Sequence, residues 1–207
     1  MKKALLLIDL QNDFMPGGAL AVPQGNEVIA IANRLQPSFE WVIATQDWHP
    51  ANHGSFAANN PPQNIGDVIN LDGLPQIMWP IHCVQNTNGA NFTSDLDTTH
   101  IKAVFQKGTD PNIDSYSGFF DNGKRKSTGL GNFLLQQGIT DVYIMGLALD
   151  YCVKFSALDA VTLGFNTYLI ADACRAVNLQ PTDGTKALAE MEAAGVKIVQ
   201  NAELYVK

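Results

Sequence analysis

Six continuous apolar runs of strand length constrain this chain more than any other feature: "ALLLI" (4–8), "WVIAT" (41–45), "KAVFQ" (102–106), "VYIMGLA" (142–148), "TYLIA" (167–171) and "VKIV" (196–199). They do not alternate apolar with polar, so they predict strands covered on both faces. Helical patterns lie between them. "NEVIAIANRLQ" (26–36) is one; "STGLGNFLLQQG" (127–138) starts at a Ser127 cap and stops at Gly138; "DYCVKFSALDAVTLG" (150–164) and "TDGTKALAEMEAAG" (182–195) end on glycine in the same way. Alternating strands and helices predict an α/β fold in three αβα layers, with a six-stranded, mainly parallel sheet and helices on both faces. No linker or charge run divides the chain, so one domain over 1–207 is expected. Two stretches interrupt the rhythm, 48–100 and 108–126, both rich in Asn, Gly, Pro and Asp. Connections of that length in a compact domain usually carry function.

The net charge is -7 and the 13 basic residues are scattered, which argues against a nucleic-acid partner. No apolar run reaches membrane-spanning length. "MKKALLLIDL" resembles the start of a signal peptide, but its apolar run is short and polar "DLQND" follows. The three cysteines, Cys83, Cys152 and Cys174, are odd in number and far apart, so reduced thiols and a cytoplasmic location are expected.

Open α/β sheets bind ligands beyond the carboxyl ends of their strands. The first apolar run stops at Asp9, the second near Asp47, the third at Lys107, and the fourth runs into "GLALDYC" and Cys152. In a parallel sheet these two carboxylates, an ammonium and a thiol share one crevice. Each alone has an ordinary explanation as a turn former, a solvated lysine or a small buried hydrophobe. Cys152 differs in standing at a predicted helix N-terminus, where the dipole favours a thiolate. "TQDWHPANHGSF" places Asp47 and His49 two apart, on the same side of an extended segment. With His82 from "MWPIHCV" they make three ligands for one divalent ion: zinc, iron or manganese. His53 is either a fourth ligand or a partner of one. His100 reads as a loop histidine without a partner, and Cys83 and Cys174 as buried.

Taken together, "LLLIDLQNDF", "TQDWHPANHGSF", "WPIHCVQ", "FQKGTD", "DSYSGF" and "GLALDYCV" resemble the nicotinamidases among the isochorismatase-like cysteine hydrolases, over Leu5 to about Ala173. The resemblance implies an isochorismatase-like fold. It also implies a catalytic triad of Asp9, Lys107 and Cys152 and metal ligands Asp47, His49 and His82. Phe14 and Trp79 would sandwich a pyridine ring, and Tyr116 would line the pocket. A cis peptide between Leu147 and Ala148 would aim the Ala148 amide, with that of Cys152, at an oxyanion. Where the family often has Thr, this chain has Leu149. The implied activity is hydrolysis of nicotinamide to nicotinate and ammonia through a thioester, within NAD salvage, with pyrazinamide as a second substrate. The chain could be a monomer or a homo-oligomer. Rival readings are an amidase for another small amide, a non-catalytic metal-binding protein, and a thiol redox sensor, which lacks a C-x-x-C motif.

Overall fold

The computed structural model describes residues 2–205. All six apolar runs are strands of one parallel sheet: β1 (Lys2–Ile8), β2 (Trp41–Asp47), β5 (Ile101–Lys107), β6 (Ile139–Leu147), β7 (Asn166–Arg175) and β8 (Lys197–Val199), in the order β5-β2-β1-β6-β7-β8. Every residue from Ala4 to Ile8 is buried, because β1 is central and covered on both faces.

Helices α1 (Glu27–Leu35), α2 (Leu130–Gln136), α3 (Lys154–Thr162) and α4 (Asp183–Ala193) connect the strands. α1 buries Val28, Ile29, Ala32 and Leu35, a stripe at helical spacing. It joins β1 to β2 in one direction across the sheet, whereas α3 and α4 join β6 to β7 and β7 to β8 in the other. Right-handed crossovers therefore put α1 on one face and α3 and α4 on the opposite face. The chain reverses its direction of travel between β1 and β6, which are neighbours. That is the topological switch point, where a crevice opens beyond the strand ends.

Two local expectations differ from the structure. The stretch 48–100 contains an antiparallel hairpin, β3 (Val68–Leu71) and β4 (Leu74–Ile77), turned by Asp72 and Gly73 with φ of 49° and 87°. Left-handed values at both central residues are what a tight two-residue hairpin requires, and Asp-Gly is its usual sequence. Ser127 does not cap α2. Its Oγ accepts from the Gly129 amide at 3.0 Å, making a local turn, and Thr128 Oγ1 accepts from Leu130 N at 3.2 Å as the helix begins three residues later.

Gly146 pairs with Ile8 across the β1–β6 ladder at φ 125°, and a Cβ there would sit 2.8 Å from Ile8 N. Gly146→Ala combines an unfavourable backbone conformation with overpacking, and is expected to destabilise the fold by about 3 kcal/mol or more. A lowered urea midpoint with unchanged m would show it.

Candidate active site

β1 leaves the sheet at Asp9, whose φ of 51° turns the chain out of the strand. Thr45 of β2 fastens the carboxylate: its Oγ1 donates to Asp9 Oδ1 at 2.6 Å and accepts from the Asp9 amide at 3.2 Å. Once β1 has left, the end of β2 loses its neighbour on that side. Gln11 takes its place. Its Oε1 accepts from Asp47 N at 2.9 Å and its Nε2 donates to Asp47 O at 2.8 Å. A side-chain amide thus completes the ladder where the backbone cannot.

Lys107 ends the edge strand β5, and its ammonium is fully buried. Nζ lies 2.9 Å from Asp9 Oδ2, donates to Ser115 O at 3.0 Å, reaches Cys152 Sγ at 3.4 Å, and pairs with Asp47 Oδ1. A carboxylate oxygen of Asp9 lies within 4.8 Å of the Cys152 sulfur. Cys152 sits in a π turn, Leu149–Val153, that leads into α3. The Ala148 carbonyl closes this turn, accepting from Tyr151 N and Val153 N, both at 3.1 Å. The peptide between Leu147 and Ala148 is cis.

Electrostatics set the resting protonation. Burial drives the Lys107 ammonium toward its neutral form, but Asp47 and Asp9 outweigh burial and raise its pKa well above the ordinary value. Burial likewise raises the Asp9 carboxyl, and Asp47 adds to that, against the pull of Lys107. Burial would raise Asp47 too, yet Lys107 and His49 hold it well below the usual range. The Cys152 thiol differs from the sequence expectation of a depressed pKa. Burial is the largest effect and pushes it well up; Lys107 opposes, while Asp9 and Asp47 reinforce. At rest the sulfur keeps its proton, beside a carboxylate able to accept it.

The second oxygen of Asp47 faces two imidazoles. Asp47 Oδ2 is 3.7 Å from His49 Nε2 and 3.7 Å from His82 Nε2. Donors about 2.1 Å from a tetrahedral ion lie about 3.4 Å apart, so the spacing suits one small divalent ion. His49 Nδ1 lies 2.9 Å from Gly108 O, and His82 Nδ1 lies 2.8 Å from Pro80 O. A carbonyl only accepts, so each Nδ1 carries a proton, and Nε2 is the ring atom that faces Asp47 Oδ2. Oxygen and imidazole donors together fit a divalent transition metal.

His53 stands apart from that trio. It clusters with His49 and Asp114, and its ring centroid is 4.4 Å from that of His49. The Ser55 amide donates to His53 Nδ1 at 3.1 Å, and burial pushes the imidazole down to about 4, so it is neutral. His100 does have a partner, Asp97, 3.9 Å away on the surface. Cys83 and Cys174 are buried.

A cavity joins the thiol to Asp47, His49 and His82. Phe14, Trp79, Tyr116 and Ala148 line it, as do four residues that strand-end reasoning missed: Leu20, Asp114, Tyr151 and Val177. Thr45 and Gln11 were missed as well. The cavity walls are mainly aromatic and aliphatic.

Comparison with known proteins agrees with this geometry. The Isochorismatase domain family matches residues 3–203. The nicotinamidase of Escherichia coli strain K12 is 53% identical over 97% of this chain and 96% of its own length. The solved nicotinamidase and pyrazinamidase of Acinetobacter baumanii superposes with a TM-score of 0.95 at 42% identity, covering 98% of each chain. The pyrazinamidase of Pyrococcus horikoshii, solved in complex with zinc, has a TM-score of 0.79 and 40% identity over 97% of this chain and 99% of its own. Sheet order, crevice and full-length similarity agree, and the chain belongs to the isochorismatase family, within its nicotinamidase group.

Proposed function

We propose that this protein hydrolyses nicotinamide to nicotinate and ammonia, and accepts pyrazinamide in the same pocket. One observation carries the reading: the Asp47 carboxylate is shared. One oxygen pairs with Lys107 of the Asp9–Lys107–Cys152 cluster, and the other faces His49 and His82. A nucleophile and a cation site joined through one side chain suit a substrate held at a ring nitrogen and attacked at its carboxamide.

The chemistry follows from the chain's own groups. Asp9 accepts the Cys152 proton as the sulfur attacks the carboxamide carbon. The Ala148 and Cys152 amides donate to the oxygen on which charge develops. As the carbon–nitrogen bond breaks, Asp9 returns the proton to the leaving group and ammonia departs. Asp9 then accepts a proton from the water that hydrolyses the thioester, and nicotinate leaves with the thiol restored. Lys107 holds the Asp9 carboxyl in place, 2.9 Å from its Nζ, as the proton comes and goes. Phe14 and Trp79 flank the ring, Tyr116 closes the wall, and His53 supports His49 from behind. Asp47, His49 and His82 would hold a divalent ion, zinc in this proposal with iron and manganese as alternatives, supplying a Lewis acid for the ring nitrogen.

The direct test is ammonia release from nicotinamide before and after a chelator. Turnover that is lost on chelation and restored by the ion supports the reading; no ammonia from the metal-loaded protein overturns it. His49→Ala is expected to lose bound metal and to bind substrate at least about tenfold more weakly.

The pH dependence has a defined sign. Asp9 must be ionised to accept the proton, and its pKa is raised from 3.8, with burial the largest cause. The acid limb of kcat/KM is therefore expected to fall as pH drops through a value above 3.8. Asp9→Asn should abolish turnover across the whole profile. A profile flat down to pH values below that carboxylate range would remove Asp9 from the base role.

A further inference from the structure

The hairpin β3–β4 contributes no residue to the cavity wall, and half of its residues are exposed, Val68 at 64%. Only one residue of its two strands is buried, and it is a glutamine, Gln76. A position that packing alone would give to leucine holds a polar amide, so the reason for it lies in its hydrogen bonds. Gln76 Nε2 lies 2.7 Å from Ile77 O, 3.1 Å from Asp114 Oδ2 and 3.2 Å from the Tyr116 hydroxyl. A carbonyl and a carboxylate both require a donor, which fixes the orientation of the amide.

The contacts continue inward. Trp79 Nε1 donates to the same Tyr116 hydroxyl at 3.1 Å. Trp79 and Tyr116 both meet Tyr151 edge-on, with centroids 5.0 Å and 5.5 Å away. Trp79, Tyr116, Tyr151 and Asp114 all line the cavity. Gln76 is not itself part of the cavity wall, yet it anchors the hydroxyl that orients the indole and the carboxylate that lies beside His49 and His53.

We propose that Gln76 is a positioning residue: by holding the Tyr116 hydroxyl and the Asp114 carboxylate, it fixes the tilt of Trp79 and so sets how tightly the aromatic ring of the substrate is bound. The hairpin is then a brace for the ring slot rather than a cover over it. This rests on the amidohydrolase reading above, with the ring lying against Trp79. Gln76 makes no hydrogen bond to Asp9, Lys107 or Cys152, so its effect falls on ring binding rather than on chemistry.

The test compares metal-loaded wild type with Gln76→Leu, Tyr116→Phe and the double variant, measuring ammonia from nicotinamide. Wild-type turnover tests the hydrolase reading separately. For Gln76→Leu, KM is expected to rise about tenfold with kcat within about twofold, the loss of one to two well-placed hydrogen bonds. Tyr116→Phe removes the shared acceptor and should give a similar rise. The double variant should fall well short of the product of the two single effects, because both singles break the same Gln76–Tyr116 hydrogen bond. An unchanged KM in Gln76→Leu, a fall in kcat alone, or multiplied effects in the double variant would overturn the proposal. Should Gln76→Leu fail to fold, Gln76→Met, an unbranched side chain of similar length without the donor, decides by the same split between KM and kcat.

Discussion

Cys152→Ala is expected to lower ammonia release from nicotinamide by at least about 10⁴-fold while leaving bound metal and fold intact. The sulfur lies 3.4 Å from Lys107 Nζ and close to Asp9. Neither the aromatic slot nor the metal donors use it, so substrate and ion should still bind. The small side chain of alanine opens no large void at a residue lining a cavity. Single-turnover assays and metal content on the same sample would separate the loss of chemistry from the loss of the site. Turnover within tenfold of wild type would exclude covalent catalysis through Cys152.

Lys107→Met should have the largest effect on stability. The side chain is fully buried and pairs with both Asp9 and Asp47, which are themselves buried. Removing one partner leaves uncompensated charge in the interior, a cost of about 3–5 kcal/mol. The sign of the accompanying pH effect can be worked out. Without Lys107, burial and mutual repulsion raise the carboxyl pKa of the pair in the folded state above the unfolded value. The folded variant then binds more protons than the unfolded chain, so stability is gained below that range and lost as pH rises through the folded pKa. Urea midpoints of the variant should climb from pH 8 to pH 5. A midpoint that fell over that interval would contradict the assignment. Activity should fall with it, because Asp9 would no longer hold its ionised form near neutrality.

The strands and the chemistry at their ends could be read from the chain because both follow simple local rules. Continuous apolar runs mark strands buried on both faces, and the residue that stops each run must stand at the rim. Asp9, Asp47, Lys107 and Cys152 were accessible in that way. Thr45, Gln11 and Asp114 were not, since each matters through a partner distant in sequence: Thr45 through Asp9 and Gln11 through Asp47, both 36 residues away. The hairpin carried a legible signal, Asp72-Gly73 between short apolar segments, submerged in a stretch rich in other turn residues. The direction of the Cys152 pKa was misjudged because sequence reveals Lys107 and a helix start but not the loss of water around the sulfur. That loss, with two carboxylates, outweighs one ammonium.

β1 lies in the middle of the sheet, and its pairing with β6 joins Lys2 to Ile139. During translation this first strand is made long before its second neighbour. At about 5–20 residues per second the ribosome needs on the order of ten seconds to deliver that partner. Until then one edge of "ALLLI" is open to any other nascent chain, so yield in a cell should respond more to chaperone supply and growth temperature than the packing of the finished molecule suggests.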